Sequence, residues 1–439
     1  MALDTERSRV AHLLRRAGFG FTEAELDEYT ALGFAGSVDR LLNFELVDDS
    51  ALEQRLVDMQ IDLGNFETAR YWWLTRMLYT RRPLQEKMTL FWHNHFVSAS
   101  SKVRTAQLIL QQLQLFRDNA LGNLEVLLRQ VTRDPAMLYY LDNRDNKKGA
   151  PNENYAREVM ELFTVGIGNY AEEDIKEAAR AFTGYTSDRQ SVYVFNPDDH
   201  DDGLKTFMGE TKNWDADDIL ATLVRHPATA RFLSRKLFSF FVHDQPSAST
   251  LDRLTSVFGS SGFDMRAVVR DILSGPEFLS PEAFHGQVKQ PVELVLGTLK
   301  ALDVRNIAPD LPQVVRKMGQ DVLNPPDVSG WKGGVNWLNS STLLERFNFA
   351  DRLTSGRAPD QPYFTDISSH ISGHDLRTAA DILNYYVGLL VDGDATVEAR
   401  RALVDYLAAD AAIEDGRLPD DKMRSTLHLV MSLPTFQLA

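Results

Sequence analysis

The sequence predicts an all-α fold, a multi-helix globular array with long loops and at most one short β-hairpin near residues 185–212. Three observations predict it. Apolar residues recur at helical spacing along most of the 439 residues. Threonine–glutamate pairs three apart and prolines mark helix starts. Only one short run, Val192 to Phe195, is rich in strand-forming residues.

Taken in order, Val10, Leu13, Leu14 and Ala17 share one helical face, with Gly18 placed to end that helix in a left-handed conformation. Thr22 and Glu25 have the spacing of a capping box, so a second helix starts there. From Thr68 to Phe96, residues such as Trp72, Trp73, Trp92 and Phe96 supply the apolar surface of two packed helices broken near Pro83. Helices follow at 103–118 and 122–132, and the polar run Asp142–Asn154 is a loop. Tyr155, Val159, Leu162 and Phe163 lie on one face of the next helix, closed by Gly166 and Gly168. The helix at 172–182 opens with Glu172, Glu173 and Asp174 at the positive end of its dipole and stops at Gly184.

Between Tyr185 and Trp214 the helical period disappears. It returns at 215–225, 227–242, 248–259, 264–274, 291–302 and 342–354, with Pro227 and Pro291 at helix starts and Thr342 with Glu345 as a further capping box. The Pro-, Gly-, Ser- and Asp-rich segment 355–378 reads as a linker or long loop. It separates a main helical domain, 1–354, from a C-terminal helical hairpin, 379–439, packed on it. No repeat of 20–50 residues is present, which argues against a solenoid.

With 44% hydrophobic and 25% charged residues the chain can bury a substantial core. Its formal charge of -15 opposes a phosphate backbone, so nucleic acid is not an expected partner, although Lys147, Lys148, Lys205 and Lys212 lie near the polar region. There is no cysteine, so a transition-metal site would have to use histidine and carboxylates. No uninterrupted apolar run reaches the roughly 18 residues of a membrane span. The first twenty residues lack the apolar core of a signal peptide. As written the chain is expected in the cytoplasm, or in the periplasm or outside the cell if a leader is missing from it.

Six phrases in this order resemble the bacterial family catalogued as domain of unknown function 1800. They are His12–Gly20 (HLLRRAGFG), Trp92–Phe96 (WHNHF), Asn152–Phe163 (NENYAREVMELF), Ala179–Gly184 (ARAFTG), His200–Lys205 (HDDGLK) and Pro325–Gly334 (PPDVSGWKGG). The resemblance implies a helical protein of a kind widespread in bacteria and often exported. It implies no substrate and no catalytic residue.

Chemistry is expected where polar side chains crowd. The stretch Asp142–Glu161 is the densest in oxygen ligands, suited to a hard cation such as Ca²⁺ or Mg²⁺ or to the hydroxyls of a polar molecule or polymer. Within it Glu158 borders the apolar face, and with Glu153 is a candidate acid or base; Asn152, Asn154 and Arg157 are candidate binding groups. The competing reading is a helix cap with i, i+4 ion pairs, which Glu153 and Arg157 fit. His93 and His95 are candidate ligands, with Glu161, for Zn²⁺, Mn²⁺ or a similar ion, but residues two apart on a helix diverge by about 200°. His200, Asp201 and Lys205 could meet an anionic group from a loop, or form a surface turn. Trp331, in a glycine-rich phrase, could offer an aromatic platform. Together these suggest a hydrolase-like enzyme working through Glu158 or Glu153 with His200 and Asp201, with a divalent cation as an optional partner. The alternative is a noncatalytic helical scaffold braced by the same residues.

Overall fold

A computed structural model describes residues 3–304, 306–408 and 420–439. Its first helix, α1 (Glu6–Arg16), is opened by a capping box of Thr5 and Ser8 that the apolar spacing does not reveal. The expected box of Thr22 and Glu25 opens α2 (Glu23–Leu42), with Glu25 N 3.2 Å from Thr22 Oγ1 and Thr22 N 2.7 Å from Glu25 Oε2. The left-handed residue between them is Gly20, φ 84°, rather than Gly18. Gly18 instead lets Pro83 approach, since a β-carbon there would lie 2.9 Å from Pro83 Cβ.

After α3 (Ser50–Asp58), the aromatic stretch forms α4 (Phe66–Tyr79) and α5 (Pro83–His95), with Pro83 at the first position of α5, where a missing N–H costs nothing. The short α6 (Ser100–Val103) leads to α7 (Ala106–Asp118), α8 (Leu124–Arg133) and α9 (Pro135–Tyr140). α10 (Asn154–Glu158) runs into one turn of π-helix, Val159–Phe163, before α11 (Glu172–Ala181).

Two hairpins occupy the segment where one was expected. β1 (Tyr185–Ser187) pairs antiparallel with β2 (Tyr193–Phe195), Thr186 opposite Val194; β3 (Lys205–Phe207) pairs with β4 (Glu210–Lys212), Thr206 opposite Thr211. Each strand is three residues long, too short to alter the all-α class.

Helices resume as α12 (Ala216–Arg225), α13 (Pro227–Phe241), α14 (Ala248–Ser260), α15 (Met265–Ser274) and α16 (Pro291–Ala301). The seven-residue α17 (Leu311–Lys317) was not foreseen. α18 (Ser340–Ser355) starts two residues before the expected box: Asn339 is its cap, and Thr342 is the third helical residue rather than the cap. The expected linker carries α19 (Ile367–Gly373) and is anchored by the buried Tyr363, whose hydroxyl lies 2.9 Å from Asp310 Oδ1. Among the described residues beyond it lie α20 (Ala379–Val391), α21 (Val397–Ala408) and α22 (Asp420–Met431), one helix more than a hairpin.

One continuous apolar cluster runs from Val10 to Phe436 and takes in residues of the C-terminal helices. Trp73, Trp92, Phe96, Phe116 and Phe163 are fully buried at its centre. Each such side chain contributes roughly 1.5–3 kcal/mol relative to exposure. Trp92 Nε1 donates to the Ala120 carbonyl at 3.0 Å, so burial leaves no unpaired indole N–H there. Among the described residues no helix is long and apolar enough to cross a membrane.

Candidate functional site

In the polar stretch the structure places most groups in local bracing. Asn146 is the hub: its side-chain amide donates to Asn143 Oδ1 (3.1 Å) and the Ala179 carbonyl (2.8 Å), and its Oδ1 accepts from Asn152 N (2.8 Å). Asn152 in turn accepts from Asn154 N at 3.0 Å, a local turn just ahead of α10, whose own cap position, Glu153, makes no side-chain capping bond. Arg157 meets Glu153 at 3.1 Å, Glu161 at 3.6 Å and Glu172, and Glu161 also accepts from the Tyr170 hydroxyl at 2.5 Å. Glu158 is the exception. It is half-buried, and no hydrogen bond or ion pair of its carboxylate occurs among the described residues. Burial, then the neighbouring Glu161, pushes its pKa up.

His200 is held by the backbone of Thr183. Its Nδ1 donates to the Thr183 carbonyl at 2.8 Å, while Asp201 receives Arg180 through both oxygens at 2.8 and 3.2 Å. Lys205, also buried, donates to the Gly203 carbonyl (3.0 Å) and Asn213 Oδ1 (3.1 Å). Gly184, φ 82°, allows this packing, since a β-carbon would lie 2.6 Å from the Asn196 carbonyl. His200–Lys205 is thus stitched to Ala179–Gly184. Among the described residues no hydrogen bond or ion pair joins Glu158 or Glu153 to His200 or Asp201, although the two segments meet through Lys148 N and the Asp199 carbonyl at 2.8 Å.

His93 and His95 point into separate surroundings, as their spacing on the unbroken α5 requires. His93 is buried between Trp73 (ring centroids 5.4 Å) and Trp331 (5.8 Å), with neither nitrogen hydrogen-bonded among the described residues. Burial, with Arg70 adding to it, lowers its pKa to about 3. Glu161 belongs to the Arg157 cluster. Among the described residues no three His, Asp or Glu side chains are grouped as a metal site.

His95 leads instead to a cavity of about 390 Å³ between α5, α13 and the loops around residues 287 and 331. The π-helical turn ends at Phe163, whose carbonyl accepts from His95 Nε2 at 3.1 Å. A carbonyl only accepts, so Nε2 carries the proton and Nδ1 a bare lone pair. That lone pair faces Lys236 Nζ at 2.8 Å. Burial, then the charge of Lys236, holds the imidazole well below its usual range. Lys236, on α13, lines the cavity; no carboxylate among the described residues lies within ion-pair distance, and burial pushes its pKa down to about 8.

The opposite wall is held by Asn94, between the two histidines. Its Oδ1 accepts from Trp331 N at 2.6 Å and its Nδ2 donates to the Trp331 carbonyl at 3.2 Å. Gly330, φ 76°, makes the approach feasible, because a β-carbon would lie 2.5 Å from the Asn94 carbonyl. Trp331, Trp337, Phe91 and Phe240 give the cavity apolar walls. Arg235, Lys236 and Lys332 supply cations against Asp244 and Glu293. Burial alone would raise the Glu293 pKa, but Lys87 and Gln290 hold it below the usual carboxylate value. A neighbouring crevice beside Arg15 and Lys289 has only about 30 Å³.

The cavity therefore combines an amine close to neutrality, aromatic surface and unpaired cations, which suits it to bind a small polar molecule and to move a proton or form a bond at Lys236 Nζ. Of its residues, the sequence singles out His95 and Trp331. Lys236 was missed, because Phe232–Phe241 has ordinary amphipathic spacing, in which Ser234, Arg235 and Lys236 read as a short solvated stretch with no turn residue beside it. Its available signal is a cation flanking the apolar stripe of Leu233, Leu237 and Phe240.

A family model described as a protein of unknown function, DUF1800, matches residues 12–438. No curated protein and no solved structure matches the chain.

Proposed function

The chain belongs to the DUF1800 family, and from that premise we propose that it is an enzyme of small polar molecules whose working site is the cavity between α5, α13 and the Trp331 loop. The observation that carries this reading is the Lys236–His95 contact of 2.8 Å on the cavity wall. A lysine that serves stability is expected to face a carboxylate or water; this one faces the lone pair of a neutral imidazole. With a pKa of about 8, roughly a tenth of its amine is unprotonated at pH 7, enough to act as base or nucleophile. Two phrases of the family resemblance, Trp92–Phe96 and Pro325–Gly334, meet at this wall through Asn94.

A second reading follows the sequence expectation of a hydrolase and rests on Glu158, the one half-buried carboxylate of the polar stretch without a partner among the described residues. Its raised pKa suits general acid or base work. The same absence of a partner predicts that Glu158→Gln leaves the melting temperature unchanged or raised, whereas a bracing role would lower it.

A panel of esters, amides, phosphoesters and small carbonyl compounds, assayed with the wild type, Lys236→Met and Glu158→Gln, tests both readings. Turnover lost in Lys236→Met and retained in Glu158→Gln supports the cavity. The reverse pattern supports the polar stretch. No turnover and no ligand-induced rise in melting temperature across the panel would favour the noncatalytic scaffold.

A further inference from the structure

We infer that the cavity takes a small oxo-acid, with its carboxylate between Arg235 and Lys332, its side group on Trp331 and Trp337, and its carbonyl carbon offered to Lys236 for imine formation. This rests on the cavity being the working site.

Charge argues for the acid. The chain carries -15 overall, yet this wall presents Arg235, Lys236 and Lys332, none of them in an ion pair among the described residues. Of the two carboxylates nearby, Glu293 is committed to Lys87, which leaves Asp244 alone at the exposed rim. The cavity thus has a surplus of cations that an anionic ligand would compensate. Its volume of about 390 Å³ lies at the small end for ligand pockets, and the tryptophans give an aromatic or aliphatic side group a surface to pack on.

The setting of Lys236 argues for the carbonyl. Holding an anion needs only an ordinary ammonium. An amine titrating near 8 rather than 10.5 has roughly three hundred times the neutral fraction at pH 7, and neutrality is what nucleophilic attack requires. His95 cannot supply the base, because its Nε2–H is fixed on the Phe163 carbonyl and burial disfavours a second proton. It acts as a positioning residue, holding one N–H of the amine at 2.8 Å. In the step, the nitrogen lone pair attacks the carbonyl carbon and the C=O π pair moves to oxygen, which takes up the proton released by nitrogen. The carbinolamine then expels that oxygen as water with a second proton, leaving a C=N bond. No oxidant or reductant is consumed.

The test uses the full chain with phenylpyruvate as the carbonyl probe and phenyllactate as its non-carbonyl analogue. Sodium cyanoborohydride is added at pH 7.5 to reduce any imine to a stable secondary amine, followed by peptide mapping. Expected are a single adduct on Lys236, its loss in Lys236→Arg, and phenyllactate binding seen as tryptophan quenching. Arg235→Ala and Lys332→Ala, both at exposed positions, should each weaken phenyllactate about tenfold without changing the melt. His95→Gln should slow trapping at least tenfold while leaving phenyllactate affinity within twofold. Phenyllactate binding without an adduct on Lys236 would overturn the imine and leave the cavity reading standing. Neither binding nor adduct, in a protein that melts normally, would overturn both.

Discussion

Asp134 is the buried carboxylate with the clearest pH signature. It caps α9, accepting from Met137 N at 2.9 Å, and accepts from Gln112 Nε2 at 2.7 Å. Burial outweighs both donors and pushes its pKa up to about 7. Because that value exceeds the unfolded one, near 4, the folded chain binds the extra proton between about pH 4 and 7, and stability falls as pH rises through that window. Asp134→Asn removes the titration, keeps a good cap and can offer an N–H to Gln112 Oε1, which has no partner among the described residues. A gain of about 4 kcal/mol is expected at pH 8, vanishing near pH 4, in urea unfolding followed by circular dichroism. His93 gives a second case. With both nitrogens unpaired among aromatic rings, His93→Phe should hold or raise the melting temperature by removing two unsatisfied polar atoms. A drop of several degrees would show that the imidazole has a bond that this packing does not provide.

At the level of elements, the Trp331 loop is held on α5 by very few atoms. Gly330→Ala would put a methyl against the Asn94 carbonyl at φ 76°, whereas at Gly333, φ 70°, a β-carbon meets nothing within 4 Å. Gly333→Ala is expected to cost roughly 1–3 kcal/mol, the backbone strain of a β-carbon at φ 70° and ψ -168° alone. Gly330→Ala should cost more, because the clash with Asn94 adds to its strain, and abolish ligand binding in the cavity, as thermal melts and tryptophan fluorescence can compare. These elements also show what was legible in the sequence. Helices with repeated apolar spacing and a proline or threonine start, such as α2, α5 and α16, were readable within a few residues, since each is specified by its own neighbours. α17 escaped because seven residues with Pro312 in the first turn show little periodicity. The cavity escaped for another reason. Asn94 and Trp331 are 237 residues apart, and the polar neighbours of Lys236 on its own helix are the ordinary Arg231, Ser234, Arg235 and Ser239, so only tertiary packing brings the groups together. Dense polarity along the chain pointed instead to Asp142–Glu161, much of which braces the backbone.

Across the whole molecule, a polar clasp ties the beginning of the chain to its C-terminal helices. Arg15 on α1 pairs with Asp392 just after α20, while His285 reaches Asp394 at 2.9 Å and Asp392 at 3.5 Å. Burial would raise the Asp392 pKa, but Arg15 and His285 bring it down to about 2. The folded value lies below the unfolded one, so the contribution is fully present above about pH 4 and is lost as pH falls through about 2. Asp392→Asn should therefore cost about 2 kcal/mol at pH 7, with wild type and variant converging near pH 2 in urea midpoints. With Phe436 sharing the apolar cluster of Val10, we propose that α20, α21 and α22 unfold together with the rest in one transition. Separate calorimetric peaks would contradict this.

The cationic cavity wall in an acidic chain has a kinetic consequence. An approaching anion first meets the far field of a molecule carrying -15 and feels Arg235 and Lys332 only at short range. Salt shortens the reach of the far field before it affects contacts of a few ångströms, the Debye length falling from about 30 Å at 0.01 M to about 8 Å at 0.15 M. Stopped-flow association of phenyllactate should therefore accelerate with salt over this range, the reverse of ordinary electrostatic steering. The bulk of the acidic surface would then act as a toll on encounter rate, one that the ionic strength of a cell already lifts.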